Sequence, residues 1–340
     1  MSAQPQTSPR APNLGMQVTT FENPMGINGF EFVEFAAPEG QGERMRDYLE
    51  KLGFTAIAKH RKRAITLFRQ GTINFLLNEE PDSFASDFAA QHGPSACGFA
   101  IRFKRPASEV YTRVLENGGE AIGEGESTKA VDAPVVKGIG DCMLYLVDRY
   151  GASGSIYGDD YEAIDGAEQN PVGFGLTFID HLTHNLYFGN MQKWSDYYEK
   201  LFNFREIRYF DIEGKLTGLF SRAMTAPCGK IRIPINESAD DKSQIEEFIR
   251  EYHGEGIQHI ALSTDDIYET VRRLRANGVD FMTTPDTYYE KVDTRVAGHG
   301  EPLDQLRELN LLIDGAPGDD GILLQIFTNT VIGPIFFEII

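Results

Sequence analysis

Two stretches of the sequence, Gly29-Phe-Glu-Phe-Val-Glu-Phe35 and Phe178-Ile-Asp-His-Leu-Thr-His184, open a similar order of elements in the two halves of the chain. Each stretch is a run of apolar and β-favouring residues, which predicts a strand. Each is followed by a longer stretch that ends in Leu-Gly-Phe54 or Phe-Asn-Phe204. The chain therefore contains an internal repeat with a spacing of about 150 residues.

The stretches after these strands have the spacing of core-facing helices. Their apolar residues recur at helical intervals, Met45, Tyr48, Leu49 and Leu52 in the first copy and Met191, Trp194, Tyr198 and Leu201 in the second. Further along, Cys97–Phe103 and Gln258–Ser263 each lead into a helix that stops at an Asn-Gly pair, a C-cap signal. Each half closes with apolar strands, around Met143–Val147 and Ile322–Phe327.

These patterns predict an α+β fold made of two similar domains. We expect a disordered tail over 1–18, an N-terminal domain over 19–162, a linker over 163–176 and a C-terminal catalytic domain over 177–340. The tail is mostly polar and lacks the apolar core of a signal peptide. Two unrelated α+β domains could share generic patterning, but several matching blocks at similar offsets favour duplication.

Composition excludes several classes of function. The 340 residues include 32 Lys and Arg against 51 Asp and Glu, for a net charge of −19. Such a charge argues against binding to nucleic acid or to an anionic membrane. No run approaches the roughly 18 apolar residues of a membrane helix. Cys97, Cys142 and Cys228 form no C-x-x-C pair, so we interpret them as packing residues of a protein in the reducing cytoplasm, rather than as ligands or nucleophiles.

The histidines are concentrated in the second half. Alignment of the halves places His181 opposite Phe32, and His259 opposite Gly98 or Phe99. Glu338 falls near Tyr157 or Gly158 in a looser part of the alignment. Loss of a site from the first copy after duplication would explain this asymmetry.

Two histidines and one carboxylate suit an octahedral Fe(II), because they leave positions open for O2 and substrate. His181 and His184 cannot both be ligands from one straight strand, since side chains three apart point to opposite faces. Strand geometry does not decide between them. A histidine in a strand can also be an ordinary hydrogen-bonded core or surface residue.

Uncharged polar residues lie in or beside apolar runs of the second half, namely Ser221, Asn236, Gln244, Gln258 and Gln325. Phe327, Phe336 and Phe337 could form aromatic walls. This mixture suits an aromatic acid with polar substituents. Alternatively, the amides cap strands and the phenylalanines belong to the core.

Several blocks in order resemble the 4-hydroxyphenylpyruvate dioxygenase family. They are Ile179-Asp-His-Leu182, Ile231-Arg-Ile-Pro-Ile-Asn236, Ser243-Gln-Ile-Glu246, Gly256-Ile-Gln-His-Ile-Ala-Leu262, Leu323-Leu-Gln-Ile-Phe327 and Phe336-Phe-Glu-Ile-Ile340. The resemblance implies the vicinal-oxygen-chelate fold, with two βαβββ repeats per domain and Fe(II) in the open barrel of the second. It implies His181, His259 and Glu338 as catalytic metal ligands. It also implies Ser221, Asn236, Gln244, Gln258, Gln325, Phe327 and Phe336 as substrate residues.

The same resemblance implies an activity. A 4-hydroxyphenylpyruvate dioxygenase converts its substrate and O2 into homogentisate and CO2 in tyrosine and phenylalanine catabolism. We therefore expect small molecules as ligands, no nucleic-acid or membrane partner, and a homo-oligomer. In the family, a Gln-Arg pair and a final helix follow the last strand, and we expect the sequence, which stops at Ile340, to be truncated before them.

Three other functions compete with this one. A 4-hydroxymandelate synthase would use the same iron and substrate but hydroxylate the benzylic carbon. A non-catalytic protein of the same fold would bind an aromatic acid without turnover. A Zn(II) or Ni(II) isomerase would need no O2. Product, oxygen-uptake and metal analysis distinguish these functions.

Overall fold

A computed structural model describes residues 21–37, 40–123, 128–213, 218–240, 242–316 and 321–340. The tail expected over 1–18 lies outside the described residues. Among the described helices, none is both long enough and apolar enough to cross a bilayer.

The first half contains the elements β1 (Ile27–Ala36), α1 (Gly42–Lys51), β2 (Thr55–His60), β3 (Ile65–Gln70), β4 (Ile73–Asn78), α2 (Phe84–His92), β5 (Ser95–Phe103), α3 (Ala107–Glu116), β6 (Val135–Lys137), β7 (Met143–Val147) and β8 (Tyr161–Ala163). The second half contains β9 (Leu176–Leu186), α4 (Met191–Phe202), β10 (Arg205–Glu213), β11 (Gly218–Thr225), β12 (Arg232–Ser238), α5 (Gln244–Tyr252), β13 (Gly256–Thr264), α6 (Ile267–Ala276), α7 (Asp286–Tyr289), α8 (Val292–Arg295), α9 (Leu303–Leu309), β14 (Leu312–Ala316), β15 (Gly321–Phe327) and β16 (Phe336–Ile339). The helices α7 to α9 have no counterpart among the predicted elements.

Each half forms one mixed eight-stranded sheet. The strand orders are β8-β2-β3-β4-β1-β5-β7-β6 and β10-β11-β12-β9-β13-β16-β15-β14. Seven strands of each sheet correspond in order, and β8 of the first sheet and β14 of the second are additional strands at opposite edges. An isolated bridge between Ala121 and Val136 stands where β14 pairs with β15 in the second sheet. The predicted duplication and the curled sheet of the βαβββ fold are confirmed.

Strand register shows which residues of the two halves are equivalent. His259 pairs with Thr183, and the matching pair in the first half joins Gly98 to Glu34. Gly98, rather than Phe99, is therefore the counterpart of His259, and Phe32 remains the counterpart of His181.

The register also corrects one alignment. Glu338 pairs with Ala261 across β13 and β16, and the matching pair across β5 and β7 joins Tyr145 to Ala100. The counterpart of Glu338 is therefore Tyr145, and its expected match to Tyr157 or Gly158 is wrong. The sequence alignment failed because it matched Met143–Val147, which is β7, to Ile322–Phe327 in β15, whereas β7 corresponds to β16.

The two predicted helix stops are confirmed. The C-cap residues of α3 and α6 are Asn117 and Asn277. In both cases the following glycine, Gly118 or Gly278, has a positive φ of 95° or 86°. The asparagines keep negative φ values, so the left-handed turn is made by the glycine alone.

One apolar core continues from the first sheet to the second. Phe337 is fully buried there, and its ring lies 6.3 Å from that of Phe35, 5.9 Å from that of Phe75 and 6.1 Å from that of Tyr48. Phe337 therefore joins the halves, and the expectation that it walls a ligand site is wrong. Neighbouring side chains on a strand alternate between faces, and Phe337 lies on the core side of β16.

A buried glutamine attaches the segment between the halves to the first sheet. Gln70 is 0% exposed, and its Nε2 donates to the Leu52 carbonyl at 2.9 Å. Its Oε1 accepts hydrogen bonds from the backbone N–H groups of Phe174, at 2.7 Å, and Leu176, at 3.3 Å. One side chain thus satisfies three backbone groups where the chain enters β9.

We expect Gln70→Ala to lower the free energy of unfolding by about 2–4 kcal/mol, because each buried backbone group left unpaired costs about 1–3 kcal/mol. Urea unfolding followed by circular dichroism measures this change. Gln91→Ala, at an exposed position of α2, is the control and should be nearly neutral. Equal stability of the two variants would show that the hydrogen bonds of Gln70 contribute little.

Candidate functional site

Successive side chains of β9 point to opposite faces of the sheet, so His181 and His184, three positions apart, lie on different faces. His184 points into the shared core, where it is fully buried and its Nε2 lies 2.7 Å from the Tyr198 hydroxyl. Burial lowers the pKa of His184 to about 3, so this ring is neutral. His181 points to the opposite face, towards the inside of the second barrel. The structure thus places only one of the two candidates among the other site residues.

The three residues that the sequence singled out for metal binding come together across three adjacent strands. In the register, Ala261 of β13 lies opposite His181 of β9 on one side and opposite Glu338 of β16 on the other. Residues opposite one another share a face, so these side chains form one row. His259 lies two positions from Ala261 on the same strand and therefore points to that same face.

The ligand atoms of this group converge on one point. The Glu338 Oε2 atom lies 3.0 Å from His181 Nε2 and 3.3 Å from His259 Nε2. The two Nε2 atoms are 3.4 Å apart. All three atoms lie within 4.8 Å of one another. Ligands at right angles around an ion, each about 2.1 Å from it, are about 3 Å apart, so these atoms fit one divalent cation.

Glu338, His181 and His259 shift one another's pKa values. Burial raises the pKa of Glu338, but the two histidines outweigh it and lower the pKa to about 2. Burial lowers the pKa of His181, but Glu338 and Asp180 outweigh it and raise the pKa to about 9. Burial keeps the pKa of His259 below its usual value despite Glu338. In the protein without metal, a carboxylate and one imidazolium therefore hold the cluster together.

A β-bulge orients His259. The register between β13 and β9 shifts between Ile257 and His259, so Gln258 is the extra residue. As a result, the Gln258 amide lies on the side of its neighbour, with its Oε1 3.0 Å from His259 Nδ1. The Thr183 hydroxyl lies 2.9 Å from His259 Nε2. Alternation alone would point Gln258 away from the site, and no sequence pattern revealed the bulge.

A buried ion pair between Asp180 and Arg232 supports His181, and neither residue was predicted to have a role in the site. Asp180 Oδ1 lies 3.0 Å from His181 Nδ1, and Asp180 Oδ2 lies 2.9 Å from Arg232 Nη1. Burial raises the pKa of Asp180, but the hydrogen bond to His181 and the charge of Arg232 outweigh it, so the pKa is below its usual value. The sequence does contain a signal that could have predicted this pair, because Asp180 and Arg232 are charged residues inside apolar strands.

A cavity of about 620 Å³ opens beside His259. Five of the seven predicted substrate residues line it, namely Asn236, Gln244, Gln258, Phe327 and Phe336. Ser221 and Gln325 are not among the lining residues, although Ser221 pairs directly with Asn236 and Gln325 lies two positions from Phe327. The remaining walls, which were not predicted, are Leu219, Ser243, Ile245, Glu247, Phe248, Glu251, Met282, Thr330 and Pro334.

Aromatic rings shape the part of the cavity next to His259. The Phe336 ring stacks on the His259 ring, with centroids 4.9 Å apart and planes 19° apart. The Phe327 ring stands at 84° to the Phe336 ring, with centroids 5.9 Å apart. Within the described residues, the side-chain amides of Asn236 and Gln244 have no hydrogen-bond partner. The cavity therefore offers a ligand both apolar faces and free amides.

Comparison with known proteins identifies the family. Residues 21–162 match the profile described as Hydroxyphenylpyruvate dioxygenase, HPPD, N-terminal, and residues 178–295 match the Glyoxalase/Bleomycin resistance protein/Dioxygenase superfamily. A 4-hydroxyphenylpyruvate dioxygenase of Pseudomonas aeruginosa is 66% identical over 94% of this chain and 89% of its own. Hemolysin VllY of Vibrio vulnificus is 60% identical over the same shares.

Solved structures agree in fold. A fusion of a xylose isomerase-like TIM barrel with 4-hydroxyphenylpyruvate dioxygenase superposes with a TM-score of 0.79 at 32% identity, over 94% of this chain and 50% of that chain. A 4-hydroxymandelate synthase mutant from Streptomyces coelicolor superposes with a TM-score of 0.77 at 24% identity, over 92% of both chains, which shows a shared fold alone. From the profile and the 66% identical relative, the chain belongs to the 4-hydroxyphenylpyruvate dioxygenase family.

Proposed function

We propose that this chain is a 4-hydroxyphenylpyruvate dioxygenase, which converts 4-hydroxyphenylpyruvate and O2 into homogentisate and CO2 in tyrosine and phenylalanine catabolism. The observation that carries the proposal is the convergence of His181, His259 and Glu338 beside a cavity that His259 lines together with free amides and aromatic rings. Membership of the family supports the same reaction.

We propose Fe(II) as the metal and these three residues as its ligands. Two imidazoles and one carboxylate on one face of the ion are the donor set of non-haem iron oxygenases. The Nδ1 atoms of both histidines are engaged by oxygen acceptors, which leaves the Nε2 lone pairs for the ion. When bound, iron would supply a Lewis acid for the 2-oxo acid and the redox partner for O2.

The protein's own contribution is to bind and orient the substrate. The 2-oxo acid end would lie near His259, and Phe327 and Phe336 would pack against the aromatic ring. Asn236, Gln244 and Gln258, with Ser221 and Gln325 beside them, would hydrogen bond to the substrate's oxygens. The position of the substrate ring matters, because a misplacement of about 1 Å can reduce a rate about 100-fold.

We also propose a domain division, a cellular location and an oligomeric state. We place the N-terminal domain at 19–162, the linker at 163–176 and the catalytic domain at 177–340. The free cysteines support a reducing, cytoplasmic location. We also propose a homo-oligomer, which light scattering of the purified protein would test.

Reconstitution tests the reaction directly. The purified full chain, loaded anaerobically with Fe(II) and mixed with 4-hydroxyphenylpyruvate and O2, should consume one O2 per CO2 released and form homogentisate. Formation of 4-hydroxymandelate would instead identify a synthase. Binding of the substrate without any oxygen uptake would contradict the proposed activity.

Metal-ligand variants test the site. His181→Ala and Glu338→Ala should each weaken Fe(II) binding by at least about 100-fold and abolish turnover, since each removes one of three bonds to the ion. Metal content and oxygen uptake measure the two effects. His184→Gln, on the core face of the same strand, should retain its metal. Loss of metal from His184→Gln but not from His181→Ala would reverse the assignment.

Asn236→Ala tests substrate recognition. We expect kcat/KM to fall about 10–100-fold with metal content unchanged, because an unpaired polar group of the buried substrate costs about 1–3 kcal/mol. Asn117→Ala, at an exposed position that ends α3, is the control. Unchanged kinetics in Asn236→Ala would remove this residue from the substrate site.

A further inference from the structure

A buried ion pair stands directly behind one of the proposed iron ligands. Asp180 is 2% exposed, and the side chain of Arg232 is 12% exposed. The two Asp180 oxygens have separate partners, with Oδ1 3.0 Å from His181 Nδ1 and Oδ2 2.9 Å from Arg232 Nη1. Arg232 pairs with His181 in the register of β12 and β9, so it lies next to the ligand. The three side chains form a line from Arg232 through Asp180 to the ligand.

This arrangement constrains the imidazole in two ways. A carboxylate can only accept a hydrogen bond, so Oδ1 keeps the ring proton on His181 Nδ1 and makes Nε2 the nitrogen that is free to bind a metal. The bond also fixes the ring's rotation. Arg232 in turn fixes the carboxylate, because its guanidinium occupies the second oxygen.

The first half also contains a buried carboxylate–arginine pair, but its arginine lies on β5, on the other side of the strand, and no candidate metal ligand accompanies it. Glu31 is the register counterpart of Asp180, and its Oε2 accepts a hydrogen bond from Arg102 Nε. Its Oε1 lies 3.0 Å from the Tyr157 hydroxyl. The next residue is Phe32, where the second half has His181. The Glu31–Arg102 pair has no candidate metal ligand beside it, so it serves as a control for the purely structural effect of removing a buried ion pair.

We propose that Asp180, held by Arg232, is the positioning residue that fixes the orientation of the His181 ring for metal binding. The proposal rests on the metal site of the proposed function but not on its substrate or reaction. Outer-shell partners of this kind are worth about 10–100-fold in metal affinity. We expect an effect of that size from loss of the pair.

The test compares matched double variants of the full chain. Asp180→Asn alone would leave Arg232 buried without its carboxylate, which could unfold the protein. Asp180→Asn with Arg232→Gln removes both charges together. Glu31→Gln with Arg102→Gln removes the buried carboxylate–arginine pair of the first half. Fe(II) affinity is measured anaerobically, without substrate, by competition with a chromophoric chelator, and the absorption spectrum of bound Co(II) reports the ligand geometry.

The expected result is weaker Fe(II) binding, by about 10–100-fold, and an altered Co(II) spectrum in the Asp180/Arg232 variant. The Glu31/Arg102 variant should keep its Fe(II) affinity within about twofold at a similar cost in urea stability. Equal affinity in the wild type and the Asp180/Arg232 variant would overturn the proposal. Equal loss of Fe(II) affinity in both variants would also overturn it. The same holds if only the Asp180/Arg232 variant fails to fold without metal. A wild type that binds Fe(II) tightly but turns over no substrate would contradict the proposed function and leave this inference standing.

Discussion

The site depends on the register of three strands. Ala261 on β13 lies opposite both His181 on β9 and Glu338 on β16. Its methyl group, which is fully buried, is the smallest side chain that an L-residue can place between the two proposed ligands. A slip of one residue on any of these strands would turn its proposed ligand to the opposite face. Side-chain alternation and backbone pairing therefore determine the geometry of the proposed metal site before any side-chain rotamer does.

The same register in the first half leads to a filled interior. Phe32 and Tyr145 stand at the positions of His181 and Glu338, and their rings are 5.1 Å apart. Gly98 replaces His259, and the neighbouring Glu34 is 1% exposed, with its carboxylate bonded to the Tyr145 hydroxyl at 2.8 Å. Burial raises the pKa of Glu34, partly offset by its hydrogen bonds. The same backbone fold thus has a packed interior in the first half, and a cavity beside the His181, His259 and Glu338 cluster in the second.

The strong acidity of the chain does not create the attraction for an anionic substrate. Glu247 and Glu251 line the cavity and would repel a carboxylate. In the proposed enzyme, the bound cation, with Arg232 compensating Asp180, would have to outweigh these charges. If the local cation provides the attraction, a net charge of −19 for the whole chain is compatible with an acidic substrate.

The sequence by itself determined the duplication, the strand and helix order and the residues that converge at the site, because apolar periodicity and repeated blocks reflect local packing. Resemblance to a family separated His181 from His184. Only the tertiary structure placed Phe337 in the shared core, matched Glu338 to Tyr145 and turned Gln258 beside His259 through a bulge. It also joined Asp180 to Arg232, which is 52 residues away. These features depend on loop length, register and contacts between distant strands, and none of them has a local signal in the order of residues.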